Sequence, residues 1–147
     1  MQALIRDVPV VHEHDELRVA LRAMLDSELP ALPVVDAHDR FCGVFGEREF
    51  IAALFPAYLG AMSYAGFVPD DLDEALEQRA GCVLETVGAH LNREHVDLPP
   101  DASNASIAET FLHHRVLIVP IVDHGTVVGI VRRADFFRAL AARVLDA

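Results

Sequence analysis

Histidines and acidic residues are concentrated at two places in the sequence where a metal ion could bind. Residues 12–15 read HEHD, and a His-His pair occupies positions 113–114. A zinc site needs three or four converging ligands supported by neighbouring groups, and neither an HExxH nor a CxxC pattern is present. The sequence therefore predicts no metal site, with a small metal-binding or catalytic protein built on residues 12–15 as a rival interpretation.

Residue patterns for covalent or phosphate chemistry are absent from the sequence. It contains no P-loop, no GxGxxG and no recognisable Ser-His-Asp arrangement. Cys42 lies in a predicted strand and Cys82 follows a glycine, so neither has the electropositive, exposed setting of a reactive thiol. We therefore expect a protein that is not an enzyme and that requires no cofactor.

The distribution of charge limits the ligands that the protein could bind. The net charge is −11, and residues 1–87 contain six arginines against sixteen acids (−10), whereas residues 88–147 contain six against seven (−1). Nucleic-acid binding needs a basic face, so we exclude it. Any small anion is expected to bind in the second half.

The longest uncharged stretch could be mistaken for a membrane span. Residues 50–68 contain no charge over nineteen positions, but Pro56, Gly60 and Gly66 interrupt them. We interpret this stretch as a buried helix end followed by a packed linker. The N-terminus lacks a charged leader followed by an apolar stretch and a cleavage site, so we expect a cytoplasmic protein.

The elements that would position a site come from an internal duplication. Residues 29–54 read LPALPVVDAHDRFCGVFGEREFIAAL, and residues 116–140 read VLIVPIVDHGTVVGIVRRADFFRAL. Pro33 aligns with Pro120 and, after a slip of one residue in the intervening loop, Gly43 aligns with Gly129. A slip confined to a turn is typical of two copies of one unit. Further upstream, the original offset matches Arg6 with Arg93.

Each copy predicts the order strand–helix–strand–strand–helix. Apolar residues at helical spacing mark the first helix of each copy, and the helix of the second copy can be capped by Asp101 or Ser103. The last helices are expected to start near Arg48 and Ala134. The β-branched runs predict strands over 31–35, 41–45, 117–122 and 126–131.

The strands are apolar on both faces, so each copy must be covered on both sides. We predict an α+β fold in which two β-α-β-β-α repeats pack sheet to sheet with the helices outside. The first repeat spans 1–54, a helical connector 55–87 and the second repeat 88–147. The connector helix is expected to start at 71–74 and to end at Gly81. The hydrophobic fraction of 52% and mean hydropathy of +0.27 favour a homodimer.

These residues resemble the tandem cystathionine-β-synthase-type (CBS) domain pair, also called a Bateman module. Each copy carries proline, two apolar residues and aspartate, then glycine, two apolar residues and a helix with an acid near its start. The strongest pieces are VPIVD at 119–123 and GIVRRADFF at 129–137. The resemblance covers nearly the whole chain, and the connector is its least specific part.

In the CBS family, clefts between the two units bind adenosine-containing nucleotides, with an aspartate on the ribose and a serine or threonine on a phosphate. The resemblance implies that Asp135 takes the ribose position and that Ile130 is an apolar ligand-binding residue of the same site. Arg132, followed by Arg133, replaces the hydroxyl residue, and a guanidinium fork can still bind phosphate.

The corresponding positions in the first copy are Gly46 and Glu49, which depart from the family pattern. Glycine keeps only its backbone donor, and glutamate is one methylene longer than aspartate. The resemblance therefore implies a second, weaker site in the first copy. Asp135 has a plainer interpretation too, since an acid at this position also stabilises the start of a helix.

The resemblance implies a non-enzymatic regulatory module. It would bind AMP, ADP, ATP or a related adenosyl ligand in the cleft of the second repeat, form a homodimer and act on a protein partner in trans. The alternative is a structural dimerisation module whose nucleotide sites have decayed.

Overall fold

The first repeat has the predicted order of elements. The computed structural model of the protein describes residues 2–55 and 72–146. The elements of the first repeat are strand β1 (Val11–His12), helix α1 (Leu17–Ser27), strands β2 (Ala31–Val35) and β3 (Phe41–Gly46), and helix α2 (Glu47–Leu54). Strand β2 pairs in antiparallel fashion with β3 and in parallel with β1. Helix α1 is amphipathic, and its apolar side buries Leu17, Ala20 and Met24.

The connector contains helix α3 (Leu72–Arg79), followed by 3₁₀ helices at Ala80–Leu84 and Val87–Ala89. Helix α3 ends at Arg79, two residues before the predicted end at Gly81, and the chain continues through Gly81 in 3₁₀ turns. Cys82, 1% exposed, belongs to the core cluster of the first repeat. Its burial holds the 3₁₀ continuation against that core. The first of the positions predicted for the helix start, Asp71, lies outside the described residues.

The second repeat reproduces the first. Its elements are helix α4 (Asn104–His113), strands β4 (Ile118–Asp123) and β5 (Thr126–Arg132), and helix α5 (Arg133–Leu145). Leu98 pairs in parallel with Ile121, as Val11 does with Val34 in the first repeat. Of the two candidate caps, Ser103 is the one used, since its Oγ accepts the N–H of Ser106 at 3.1 Å.

In each repeat, a short backbone segment forms hydrogen bonds with the sheet of the other repeat. Arg6 exchanges two hydrogen bonds with Ile130 (2.8 and 3.0 Å), and Asn92 exchanges two with Val44 (2.8 and 2.9 Å). Arg6 therefore corresponds to Asn92, so the predicted match of Arg6 with Arg93 is wrong by one residue. One edge of each sheet, β3 in the first repeat and β5 in the second, is thereby bonded to the other repeat, which fixes the orientation of the clefts between the repeats.

Most of the core is shared between the repeats, because the apolar strands of each sheet pack against the other. Ile118 and Ile130 of the second repeat are fully buried in one cluster with Val34, Val44 and Phe45 of the first. Burying a side chain of this size stabilises the folded state by about 1.5–3 kcal/mol. The predicted α+β fold, with the sheets of the two repeats facing each other and the helices outside, is confirmed.

Candidate functional site

Two clefts lie at the starts of the last helices of the repeats. The first, which we call the α5 cleft, has a volume of about 290 Å³. The residues lining the α5 cleft are Pro30, Leu117, Arg132, Arg133, Ala134 and Phe137. The second, which we call the α2 cleft, has a volume of about 100 Å³ and includes Gly46 and Glu49 in its wall. Both clefts use residues from both repeats.

The same backbone contact shapes both clefts. The N–H of Arg133, the first residue of α5, donates to the carbonyl of Leu117 at 3.0 Å. In the first repeat the N–H of Glu47, the first residue of α2, donates to the carbonyl of Pro30 at 3.0 Å. Each helix start is thereby fixed against the loop that leads into the first strand of its own hairpin. The family resemblance placed the ligand sites at these two helix starts.

Asp135 is paired with arginines in the structure. Its Oδ2 accepts a hydrogen bond from Nε of Arg132, and its Oδ1 accepts one from Nη2 of the same guanidinium, both at 3.1 Å. Nε of Arg6 lies 3.7 Å from Oδ2. The side chains of Arg132 and Asp135 are only 21% and 22% exposed, so water screens this pair less than an ion pair at the open surface.

The environment of Asp135 stabilises its ionised form. The hydrogen bond from Arg132 is the main reason that the pKa of this carboxyl is lowered from its ordinary value, and the charges of Arg132, Arg6 and Arg138 act in the same direction. Partial burial opposes them without reversing the shift. Asp135 is therefore a carboxylate held between cations.

The two other residues predicted for the ligand site of the second repeat, Arg133 and Ile130, differ in their placement. Arg133 is exposed and lines the α5 cleft. Ile130 is 0% exposed and packs in the shared core, and its backbone pairs with Arg6. Ile130 therefore does not line the cleft, because its side chain faces the opposing sheet. Phe137 also forms part of the cleft wall.

The α2 cleft contains its predicted residues, but they bond to each other. Oε1 of Glu49 accepts the backbone N–H of Gly46 at 2.9 Å, which is the reciprocal half of a capping box. The one donor that the sequence comparison left to Gly46 is thus already used. A Cβ at this position would lie 2.7 Å from Cβ of Ala31 and 2.8 Å from the carbonyl oxygen of Pro30, so a close approach of β3 to β2 favours glycine here.

Sequence reasoning did not find five polar residues of the α2 cleft, which are Glu47, Arg48, Asn92, His95 and Arg115. Nδ1 of His95 donates to the carbonyl of Val96 at 2.8 Å. Burial, the largest influence, lowers the pKa of His95. Arg115 precedes β4 in a loop of the second repeat, and no local pattern indicates that it faces the first.

The histidine clusters make local contacts. Nε2 of His12 lies 2.8 Å from Oδ1 of Asp39, while His113 and His114 end helix α4. Among residues 2–55 and 72–146, no group of three His, Cys, Asp or Glu side chains is arranged to hold a metal ion. Burial is the largest influence raising the pKa of both Cys42 and Cys82, which keeps these thiols protonated.

None of the helices in the described part of the chain is long and apolar enough to cross a membrane. Of the uncharged stretch at 50–68, only residues 50–55 fall within that part. The predicted packed linker lies outside the described residues.

The chain belongs to the CBS domain family. The family model for the CBS domain matches residues 2–56 and 87–142, which covers both copies of the duplicated unit. The resemblance inferred from the proline, aspartate and glycine pattern is confirmed.

Solved structures of CBS-domain proteins align with nearly the whole chain. The CBS domain of a CBS-domain-containing membrane protein from Sphaerobacter thermophilus is 27% identical, with a TM-score of 0.71 over 93% of this chain and 84% of that one. CBSX2 of Arabidopsis thaliana, a CBS-pair protein, is 17% identical, with a TM-score of 0.74 over 99% and 96%. A structure of CBSX2 in complex with AMP is 19% identical, with a TM-score of 0.69 over 95% and 94%.

A curated relative shows the same unit inside a much longer protein. The A-adding tRNA nucleotidyltransferase of Aquifex aeolicus is 23% identical over 133 residues, which are 89% of this chain and 13% of that enzyme. The chain thus spans only a small part of this relative.

Proposed function

We propose that this protein is a non-enzymatic regulatory module that binds an adenine nucleotide in the α5 cleft. The ligand is AMP, ADP, ATP or a related adenosyl compound, and the module acts in the cytoplasm on a protein partner in trans. Both repeats line the cleft, so a bound ligand favours one arrangement of the repeats over others and shifts the population toward it.

The observation that carries this proposal is the composition of the α5 cleft. Pro30, Leu117 and Phe137 supply apolar surface for a base, while Arg132 and Arg133 supply guanidinium groups at the start of α5. Small-molecule sites commonly combine apolar walls with a few charged groups in this way. The helix start adds backbone N–H groups and positive potential, which favour an anion.

The residue roles follow the family pattern. Arg132 and Arg133 bind phosphate, and Asp135 accepts the ribose hydroxyls. The structure of CBSX2 in complex with AMP supports the choice of ligand class. The α2 cleft is a weaker candidate, since its volume of about 100 Å³ is much smaller than the volume of about 290 Å³ of the α5 cleft.

The outer helical faces support a homodimer. Leu25 on α1 and Leu112 on α4 are equivalent in the two repeats and are 78% and 83% exposed. Ile51 on α2 and Phe137 on α5 are likewise equivalent and exposed. A groove of about 840 Å³ runs between α1 and α2, with Met24, Leu25 and Ile51 in its wall. A second copy of the chain would cover this apolar surface.

Equilibrium dialysis and thermal unfolding with AMP, ADP, ATP and S-adenosylmethionine test the proposal. Ligand at about a hundred times its Kd stabilises the folded state by about 2.7 kcal/mol, which raises the Tm by several degrees for a chain of this size. We expect at least one adenine nucleotide to produce this shift. The Asp135→Ala variant should remove the ligand-induced shift.

The matched control is Asp26→Ala, which deletes an exposed acid on α1 that lines neither cleft. This variant should keep the nucleotide-induced shift. Absence of binding by all four compounds at millimolar concentration would reject the nucleotide proposal. It would favour the alternative, a structural dimerisation module with decayed sites, for which the exposed apolar helical faces are the supporting observation.

A further inference from the structure

The guanidinium groups of the α5 cleft are accessible to a ligand, whereas the carboxylate of Asp135 is not. Arg132 and Arg133 are among the residues that line the cleft, whereas Asp135 is not. The carboxylate of Asp135 is instead bonded through both oxygens to the guanidinium of Arg132. A ligand that enters the cleft therefore meets Arg132 before it can reach Asp135.

We propose that the Arg132–Asp135 pair makes the α5 cleft selective for phosphorylated nucleosides, because only an anionic group can replace Asp135 as the partner of Arg132. This inference rests on the proposed function and specifies the ligand class of the same site. In the free protein Arg132 occupies both oxygens of the Asp135 carboxylate, so this carboxylate is not available to the ribose. In the complex the phosphate takes Arg132, and the released carboxylate accepts the ribose hydroxyls.

The chemistry of the two side chains supports this exchange. A guanidinium has five N–H donors, and Arg132 uses Nε and Nη2 on Asp135, so a phosphate can approach the other donors before the pair opens. Arg6, whose Nε is 3.7 Å from Oδ2, remains beside the carboxylate throughout. Asp135 is thus never left as an unpaired charge during the exchange, which keeps the cost of opening low.

An uncharged nucleoside has no group that can make the same exchange. Adenosine would have to break two charge-assisted hydrogen bonds and leave Arg132 with a weaker partner. S-adenosylmethionine carries a sulfonium cation near its ribose, which Arg132, Arg133 and Arg6 would repel. The proposal therefore predicts binding of AMP, ADP or ATP in preference to both compounds.

The test measures the dissociation constants of AMP and adenosine for three forms of the full chain by isothermal titration calorimetry. The forms are wild type, Arg132→Thr and Arg133→Thr. Both variants remove one cation from the wall of the cleft, but only Arg132→Thr releases Asp135. We expect wild type to bind AMP at least about tenfold more tightly than adenosine, since hydrogen bonds to charged groups contribute about that much affinity.

Arg132→Thr should gain affinity for adenosine by about tenfold and lose affinity for AMP, so that the preference disappears. Arg133→Thr should weaken AMP without any gain for adenosine. Arg132→Gln, which keeps most of the alkyl stem, serves as a second variant if threonine impairs folding. The carboxyl resonance of Asp135, followed by NMR, reports release independently, because its pKa should rise in Arg132→Thr and not in Arg133→Thr.

The outcomes separate this inference from the proposed function. If wild type binds AMP but binds adenosine equally well, or Arg132→Thr gains nothing for adenosine, the selectivity proposal is rejected and the proposed function stands. If wild type binds neither compound and Arg132→Thr binds adenosine, the pair closes the site to AMP as well, and the selectivity proposal is rejected. Binding of neither compound by any form rejects both.

Discussion

The two clefts are built on the same local frame, and they differ in what holds the acid at the third position of the helix. In the α2 cleft, Glu49 accepts the backbone N–H of Gly46, a bond that completes the start of α2. In the α5 cleft, Asp135 accepts two hydrogen bonds from the side-chain guanidinium of Arg132. A side chain can rotate away to another partner, whereas a helix start cannot give up its cap without a loss of stability.

This comparison shows how duplicated units can diverge while the fold is retained. The backbone contacts that position the helix starts are the same, 3.0 Å in both repeats. What changed is whether the acid is part of the helix itself or part of an exchangeable ion pair. We infer that the first repeat serves mainly structure and that the second carries ligand chemistry.

The largest effect is expected from placing the family hydroxyl residue at the equivalent position of each repeat. Gly46→Thr should lower the free energy of unfolding by about 2–3 kcal/mol, as overpacking does, because a Cβ there overlaps Ala31 and Pro30. Arg132→Thr should cost about 1 kcal/mol or less, since only a partly exposed ion pair is lost. Urea unfolding followed by circular dichroism measures both.

Gly46→Ala and Gly81→Ala provide the matched control for this experiment. Both add one methyl group to a glycine, but a Cβ at Gly81 meets no heavy atom within 4 Å. Only the change at Gly46 should destabilise the protein. Equal effects of Gly46→Thr and Arg132→Thr would contradict the assignment of Gly46 to close packing.

A smaller effect is expected when the acid of the α2 cleft is changed. Glu49→Ala removes the acceptor of the Gly46 N–H and should lower the free energy of unfolding by about 1 kcal/mol, as for other helix caps. Glu49→Gln keeps an acceptor oxygen and should remain near wild type. Neither variant should alter AMP binding in the α5 cleft. Equal destabilisation by both variants would indicate that the charge of Glu49, and not its hydrogen bond, is what α2 requires.

Much of the fold is readable from the sequence because it depends on local patterns. The run at 31–35 gives strand β2 with its observed bounds, since an apolar run that ends in two valines and lies between Pro30 and Asp36 leaves few alternatives. The duplication then requires two sheets that cover each other. The 3₁₀ turns that follow α3 were not predicted, because they depend on the burial of Cys82 against another element, which no local signal reports.

The candidate site was only partly readable. The spacing of Arg132 and Asp135 allows the pair that forms, but the second cation, Arg6, comes from a segment more than a hundred residues away. Ile130 was expected beside the ligand, because the pattern of two apolar residues after glycine does not say which sheet face each one occupies. In the sequence, Gly46 indicated only the loss of the hydroxyl that binds phosphate in the family pattern. Its close contact with β2 is visible only in three dimensions.

The smallest predicted effect is a change with pH in the difference between the free energies of unfolding of wild type and Arg132→Thr. This change depends on the α5 cleft alone. The pKa of Asp135 is lowered from its ordinary value of 3.8, first of all by the hydrogen bond from Arg132. A carboxyl with a lowered pKa in the folded state adds stability above its ordinary pKa, and this contribution is lost as the pH falls through the lowered value. Arg132→Thr should therefore be less stable than wild type at neutral pH, and the difference should narrow below about pH 4.

Urea unfolding at a series of pH values measures this narrowing, with Arg133→Thr as the control that keeps the pair and should follow wild type. The pKa values of Asp36 and Glu85 are also lowered, by hydrogen bonds from Arg40 and His38 and from His90 respectively, but these contacts are common to all three forms and cancel in the comparison. Parallel curves for wild type and Arg132→Thr through the acid range would mean that the arginine does not stabilise the carboxylate. The distinction between an exchangeable acid in the second repeat and a fixed one in the first would then have no energetic basis.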